Sequence, residues 1–242
     1  MSCEIKRIFA GRSFWAAVLA GVLAIAAGFP YPKTETLLAA GSFLELETKA
    51  LTSKAVCYLL PVTAVLPWCD SFLEEWKGGF LKACLPRCGR RAYIGSKIFS
   101  VALSGAFALF TAVLLTAFGY FLVYIPMEKQ GTIPFQSYSG LLETAVRAGL
   151  LCGSLSSLGG ICAAVSGSIY MAYGLPFVAY YFCMLLHERY FESALWLYPP
   201  AWLSADAQWG IRNHGLWLFL LLLFVVTMGI HGGVLYERLQ EL

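Results

Sequence analysis

The sequence predicts an all-α integral membrane protein with six transmembrane helices, and three observations carry that prediction. First, the 242-residue chain is 59% hydrophobic and only 13% charged, with a mean hydropathy of +0.70. A soluble domain of this length could not bury so much apolar surface. Second, uncharged stretches of membrane-crossing length recur along the chain. Third, residues 70–97 form an island of polarity between two such stretches, with six of the seventeen basic residues and three of the fourteen acidic ones. The net charge of +3 is small and spread over loops, which fits orientation in a membrane and argues against nucleic-acid binding.

The elements follow in chain order, as one transmembrane unit over residues 1–242. Residues 1–12 read as a cytoplasmic interfacial segment, with Ile5, Ile8 and Phe9 facing lipid. Residues 13–32 carry no charge and supply the first span. They also admit a signal-peptide reading, with Lys6 and Arg7 as its basic start and Ala24-Ile25-Ala26 as its cleavage site. The stretch is long for such a peptide, and a retained span is expected.

Residues 55–69 are short for a second span and carry Pro61 and Pro67. They need help from Leu51 onward or a locally thinned membrane. The first half of the 70–97 loop then reads as an amphipathic helix, with Phe72, Trp76 and Phe80 four residues apart on one face.

Residues 98–127 make the third span, and residues 148–186 fit two spans joined by a turn near 166–169, where Ser-Gly-Ser interrupts the apolar run. The segment 190–214 carries Trp196, Trp202, Trp209 and the Pro199-Pro200 pair. Two readings stay open for it: short helices dipping into the outer leaflet and broken at the prolines, or an aromatic belt anchoring its neighbours. Residues 213–236 supply the last span.

Alternate loops set the orientation. Lys6, Arg7, Arg12, the six basic residues of the 70–97 loop and Arg238 fall on one side. Lys33, Lys49, Lys54, Lys129, Arg147, Arg189 and Arg212 fall on the other. The dense loop and the basic N-terminus place both termini in the cytoplasm. Of the eight cysteines, Cys57, Cys152, Cys162 and Cys183 lie in apolar stretches, and Cys3, Cys69, Cys84 and Cys88 lie at the cytoplasmic side. Reduced thiols are therefore expected. Cys84 and Cys88 share a helix face, but that loop has no histidine to complete a zinc site.

Catalytic patterns are sparse. Neither Gly-x-x-x-x-Gly-Lys-Ser/Thr nor His-Glu-x-x-His occurs, and His187, His214 and His231 are scattered. An intramembrane serine protease of rhomboid type is the alternative, with Ser166 in Ala164-Val165-Ser166-Gly167 and His231 in a later span; the first glycine of its motif is missing. Small residues at Gly149, Gly153, Gly159, Gly160 and Gly167 equally serve close helix contact. A prenyl-endopeptidase-like metal enzyme would use paired glutamates such as Glu74-Glu75 with a nearby arginine, but Lys77-Gly78-Gly79 follow instead. The spans read as uncharged, which argues against an ion-driven carrier and leaves energy coupling to another subunit.

One further pattern concerns residues 59–107. Leu59-Leu60-Pro61-Val62-Thr63-Ala64-Val65-Leu66-Pro67, then Phe72-Leu73-Glu74-Glu75-Trp76-Lys77-Gly78-Gly79-Phe80, then Arg87, Tyr93, Ser96 and Lys97 resemble permeases of the type-two exporter family of ATP-binding-cassette transporters. Ser104-Gly105 within residues 101–107 and Tyr198-Pro199-Pro200 extend the likeness. The resemblance implies a dimer of permeases, identical or paralogous, in a plasma membrane of bacterial type. Such a dimer is powered by two separate ATP-binding subunits, and the permease needs no cofactor because ATP and magnesium belong to those subunits. It also implies that Phe72, Glu75, Trp76, Gly78, Gly79 and Phe80 form a coupling helix docked on the ATPase, with Arg87, Tyr93 and Lys97 completing the loop motif. Arg87, Arg90 and Arg91 are expected at lipid phosphates. The cargo expected from uncharged spans is an amphipathic peptide, a lipid or a drug-like compound.

Overall fold

Long apolar runs fold as long helices, and the polar residues at their edges are drawn into them. The computed structural model describes residues 2–31, 38–129, 131, 133–205, 209 and 214–241. Among these the regular elements are helical, apart from an isolated bridge between Leu38 and Glu128. They are α1 (Ser2–Ala10), α2 (Arg12–Gly28), α3 (Ser42–Leu51), α4 (Lys54–Val65), α5 (Ser71–Lys77), α6 (Phe80–Cys88), α7 (Arg90–Tyr124), α8 (Phe135–Ser166), α9 (Ile169–Arg189), α10 (Pro199–Ser204) and α11 (His214–Gln240). Pro32 at the end of the first expected span and Asn213 at the start of the last, with Lys33 and Arg212 beside them, lie outside the described residues.

Four helices are long and apolar enough to cross a membrane: Arg90–Met127, Phe135–Ser166, Ile169–Arg189 and His214–Gln240. A fifth crossing results if α1 and α2, bent by 59° at Gly11, count together. The expected second span is shorter than a crossing. Ser53 caps α4 by accepting a hydrogen bond from the Val56 amide, which leaves Leu51 at the end of α3. The twelve residues of α4 continue through Pro61 and reach only about 18 Å.

Two helices begin earlier than the hydropathy suggests. Helix α7 starts at Arg90 and carries Tyr93 and Lys97 within it, and α8 starts at Phe135 and carries Glu143 and Arg147. Lys97 and Arg147 are both buried, so the expectation of charge-free helices gives way. The reason is that a charge ends a hydropathy window without ending a helix. Ile8, expected to face lipid, is buried in the core, while Ile5 and Phe9 stay exposed. Pro199 and Pro200 start α10 rather than break it, because the first helical turn has no internal partner for its amides. Trp202 of α10 is buried against Phe219, and Trp196 is exposed.

The core centres on α8, whose small residues admit its neighbours. A Cβ at Gly149 would meet Phe110 at 2.8 Å, one at Gly153 would meet Phe224 at 2.5 Å, and one at Gly159 would meet Cys69 at 3.0 Å. Gly160 lies under the buried imidazole of His231, which an added Cβ would meet at 2.6 Å. Gly167 has a different role: at φ +64° it ends α8 in the left-handed conformation, at the turn expected between the two helices. Arg238 of α11 finishes that end by donating to the carbonyls of Ala164 and Val165 at 2.9 and 2.6 Å. Overpacking should therefore be site-specific. Gly160→Val should cost about 1–3 kcal/mol and lower the yield of monodisperse protein on size-exclusion chromatography. Gly174→Val, with nothing within 4 Å, should leave that yield unchanged.

At the opposite end of the molecule from α5 and α6, the Glu128 carboxylate accepts hydrogen bonds from the Gly41 and Phe43 amides at 2.9 and 3.1 Å and fixes the start of α3. One turn further on, Glu47 is wholly buried and accepts a 2.7 Å hydrogen bond from Thr116. Burial pushes its carboxyl up to about 7, against the smaller opposing effect of Thr116. Burial thus disfavours the charged form in the folded state. The Glu47 contribution to stability should be fullest below the ordinary carboxylate value of 4.5 and be lost as pH rises through about 7. Glu47→Gln should flatten that decline, as read from melting temperatures on either side of neutrality.

Candidate functional site

The polar loop between α4 and α7 folds into two short helices on either side of a tight glycine joint. Gly78 ends α5, and Gly79 takes φ +70° before α6 begins at Phe80. That joint divides the aromatic face expected on one helix. Phe72 is 2% exposed, enclosed in a cluster with Leu81, Tyr93, Ile94, Ala164, Leu235 and Leu239. Trp76 is half-buried at the edge of this cluster, its ring 5.6 Å from that of Phe72. Phe80 is 51% exposed, with the Arg7 guanidinium 6.0 Å from its ring. On its other side α5 buries Leu73 against Val65, Cys69, Ala163 and Ala172. Helix α5 is thus wedged into the body by two faces, and Glu74, Lys77, Gly78, Gly79 and Phe80 remain exposed.

Beneath α5 lies a buried ionic cluster that joins four parts of the chain. Glu75, 4% exposed, receives Arg7 of α1 at 2.7 Å and Lys97 of α7 at 3.0 Å on one oxygen. The Tyr93 hydroxyl donates to its other oxygen at 2.6 Å. Glu4 of α1 lies 3.7 Å from Lys97 and 3.4 Å from Arg7, and it accepts a 3.2 Å hydrogen bond from the indole N–H of Trp68. Lys97 is fully enclosed and also faces the rings of Trp68 and Tyr93 at 5.7 and 5.9 Å. Burial alone would raise the Glu75 carboxyl, but Lys97, the Tyr93 hydroxyl and Arg7 outweigh it and hold the group below its ordinary value. A carboxylate with two hydrogen-bond donors and a buried ammonium at 3.0 Å is a stable anion here.

The resemblance implies an outward docking face for Glu75 and Phe72. The structure turns both inward, where Glu75 binds α1 and α7 and Phe72 binds α6, α7, α8 and α11. Tyr93 and Lys97 of the loop motif meet in the same cluster, whereas Arg87 does not join it and is exposed, as are Arg90 and Arg91. Arg7 and Glu4 carry no periodic signal in the sequence because these partners, Glu75 and Trp68, lie 64 and more residues away. The signal that could have pointed to them is charge at the borders of apolar runs, where opposite signs meet once the helices assemble. Asp70, before α5, accepts a 2.8 Å hydrogen bond from Tyr173 of α9 and ties the same unit to a further helix.

The serine and histidine of the protease alternative stand apart. Ser166 is exposed and donates to the Cys162 carbonyl at 2.6 Å. His231 is fully buried against Gly160, and neither ring nitrogen has a hydrogen-bond partner among the described residues. Gly160 and Ser166 are six residues apart on α8, about 9 Å along its axis. The Cys84 and Cys88 sulfurs lie 3.7 Å apart on α6, beside a cavity of about 370 Å³ that separates α6 from α1.

No protein-family model matches this chain, and the search of curated proteins found no similar one.

Proposed function

We propose that this chain is the membrane-spanning subunit of an ATP-driven exporter, of the type-two ATP-binding-cassette kind. The observation that carries the reading is the short helix pair α5–α6, exposed at its tip and rigidly mounted at its base by the Glu75 cluster. A power-transmitting element needs both properties: a surface that a partner can grip, and a stiff connection to the helices that must move. On this reading the gripped surface is Trp76, Gly78, Gly79 and Phe80, and Phe72 and Glu75 are its mount. Displacement of α5 by a partner would be passed to α1 through Arg7 and to α7 through Lys97 and Tyr93.

The proposed assembly has two such permeases, identical or paralogous, and two ATP-binding subunits that hold the nucleotide and magnesium. In the proposed topology α4, with help from its flanking turns, completes a sixth crossing, and both termini lie in the cytoplasm of a plasma membrane. The cargo is an amphipathic peptide, a lipid or a drug-like compound, moving along the interface of the two permeases.

Topology and energy supply are tested together by two measurements. In a variant whose other cysteines are replaced, Cys84 should react with an impermeant maleimide only after permeabilisation, and a cysteine at Glu192 should react in intact cells. The purified chain alone should hydrolyse no ATP and should gain hydrolysis when its partner subunit is restored. Labelling of Cys84 in intact cells, or hydrolysis by the isolated chain, would overturn the reading.

A further inference from the structure

At the end of the molecule away from α5 and α6, the first turn of α4, the last turn of α9 and the segment through α10 line an open cavity of about 460 Å³. That volume lies in the range of small-ligand sites. Two opposite charges line it: Lys54, the first residue of α4, and Glu188, next to the last residue of α9. Neither takes part in an ion pair among the described residues. Neither charge serves its own helix, since a cation at a helix start and an anion at a helix end both oppose the helix dipole. Both side chains are exposed and line one cavity, so their opposite charges are open to a ligand.

The remaining walls suit the middle of such a ligand. Tyr58 and Tyr198 line the cavity, and both rings are held. Tyr58 stacks on Tyr181 at 5.9 Å, and the Tyr181 hydroxyl donates to the Tyr58 carbonyl at 2.6 Å. Tyr198 stacks at 4.5 Å on His187, whose Nδ1 is 3.2 Å from the Ala194 carbonyl. Fixed aromatic faces beside a carboxylate attract ammonium groups. The exposed Trp196 and the buried Trp202 on the neighbouring segment suit the headgroup level of a bilayer.

We propose that this cavity binds a zwitterion in which a phosphate and an ammonium are joined by a short linker, with the phosphate at Lys54 and the ammonium at Glu188 between the tyrosine faces. A phospholipid headgroup and a soluble phosphodiester both carry that chemistry. The site needs no ATPase and is independent of the export reading.

The test is a tryptophan-fluorescence titration of the full chain in maltoside micelles. The probes are dihexanoyl-phosphatidylcholine, dihexanoyl-phosphatidylglycerol, dihexanoylglycerol and glycerophosphocholine. The choline lipid should bind about tenfold or more tightly than the glycerol lipid, since only it satisfies Glu188. Lys54→Gln should weaken both phospholipids, and Glu188→Gln should weaken the choline lipid alone. Binding of glycerophosphocholine as tight as that of the choline lipid assigns a soluble ligand. Binding of the choline lipid alone assigns a membrane lipid. Equal affinity for the zwitterionic, anionic and uncharged probes in the unmodified chain overturns the proposal, and so does a choline-lipid affinity unchanged by both substitutions.

Discussion

Lys97→Met should destabilise the protein by about 3–5 kcal/mol, the largest effect expected of any single substitution in the loop motif. The methionine fills much of the same volume, so cavity formation is not the cause. The cost comes from Glu75, which would stay buried with a negative charge and lose one of its two cationic neighbours. Arg7 would remain, but its side chain is 43% exposed and screened by solvent, so it compensates only in part. Glu75→Gln in the same background should recover most of the loss, because the uncompensated charge then disappears. A double-mutant cycle on melting temperature or chemical denaturation reads the coupling directly. The pH dependence has a defined sign. A carboxyl held below its ordinary value contributes stability above that value, and loses it only as pH falls through the lowered one. The Lys97→Met deficit should therefore be full at neutral pH and shrink in strong acid, where Glu75 is neutral in both proteins.

Phe80→Ala should weaken association with an ATP-binding subunit by about 2 kcal/mol and reduce export in proportion, with the fold intact. Phe80 is the cleanest probe of the proposed docking surface because it is half-exposed and its loss leaves no cavity in the body. Trp76→Ala should weaken association at least as much, but it also removes a ring that rests on Phe72. Melting temperature separates the two contributions: unchanged for Phe80→Ala, lowered for Trp76→Ala. Glu75→Ala should behave like a stability variant and not like a docking variant, since its carboxylate faces Arg7, Lys97 and Tyr93 inside the chain.

Much of the architecture was legible in the sequence because hydropathy reports what a helix must bury or show to lipid. The long helices α7, α8, α9 and α11 and the glycine turn after Ser166 follow from apolar runs and one interruption. What hydropathy could not report was where charged residues end up once helices assemble. Lys97 sits at the border of an apolar run and reads as a loop residue, yet α7 begins earlier and carries it into the interior. The stretch from Leu51 onward is divided for a local reason, a serine cap at Ser53 that restarts the helix. The aromatic face of the loop was read from a four-residue period that Gly78 and Gly79 interrupt. Glu4 and Arg7 join Trp68, Glu75 and Lys97 across 64 to 93 positions, and single-sequence periodicity carries no trace of such pairings.

The central claim is that the exposed joint of α5 and α6 is gripped by a separate ATPase. Site-specific photocross-linking in native membranes tests it most directly, with benzoylphenylalanine at position 80 and, as a control, at the exposed Phe135 at the start of α8. Peptide mass spectrometry of the products should identify a protein with a Gly-x-x-x-x-Gly-Lys-Ser/Thr phosphate loop from position 80, and none from position 135. Products from position 80 that contain only lipid would contradict the account and leave α6 as a helix lying in the headgroups.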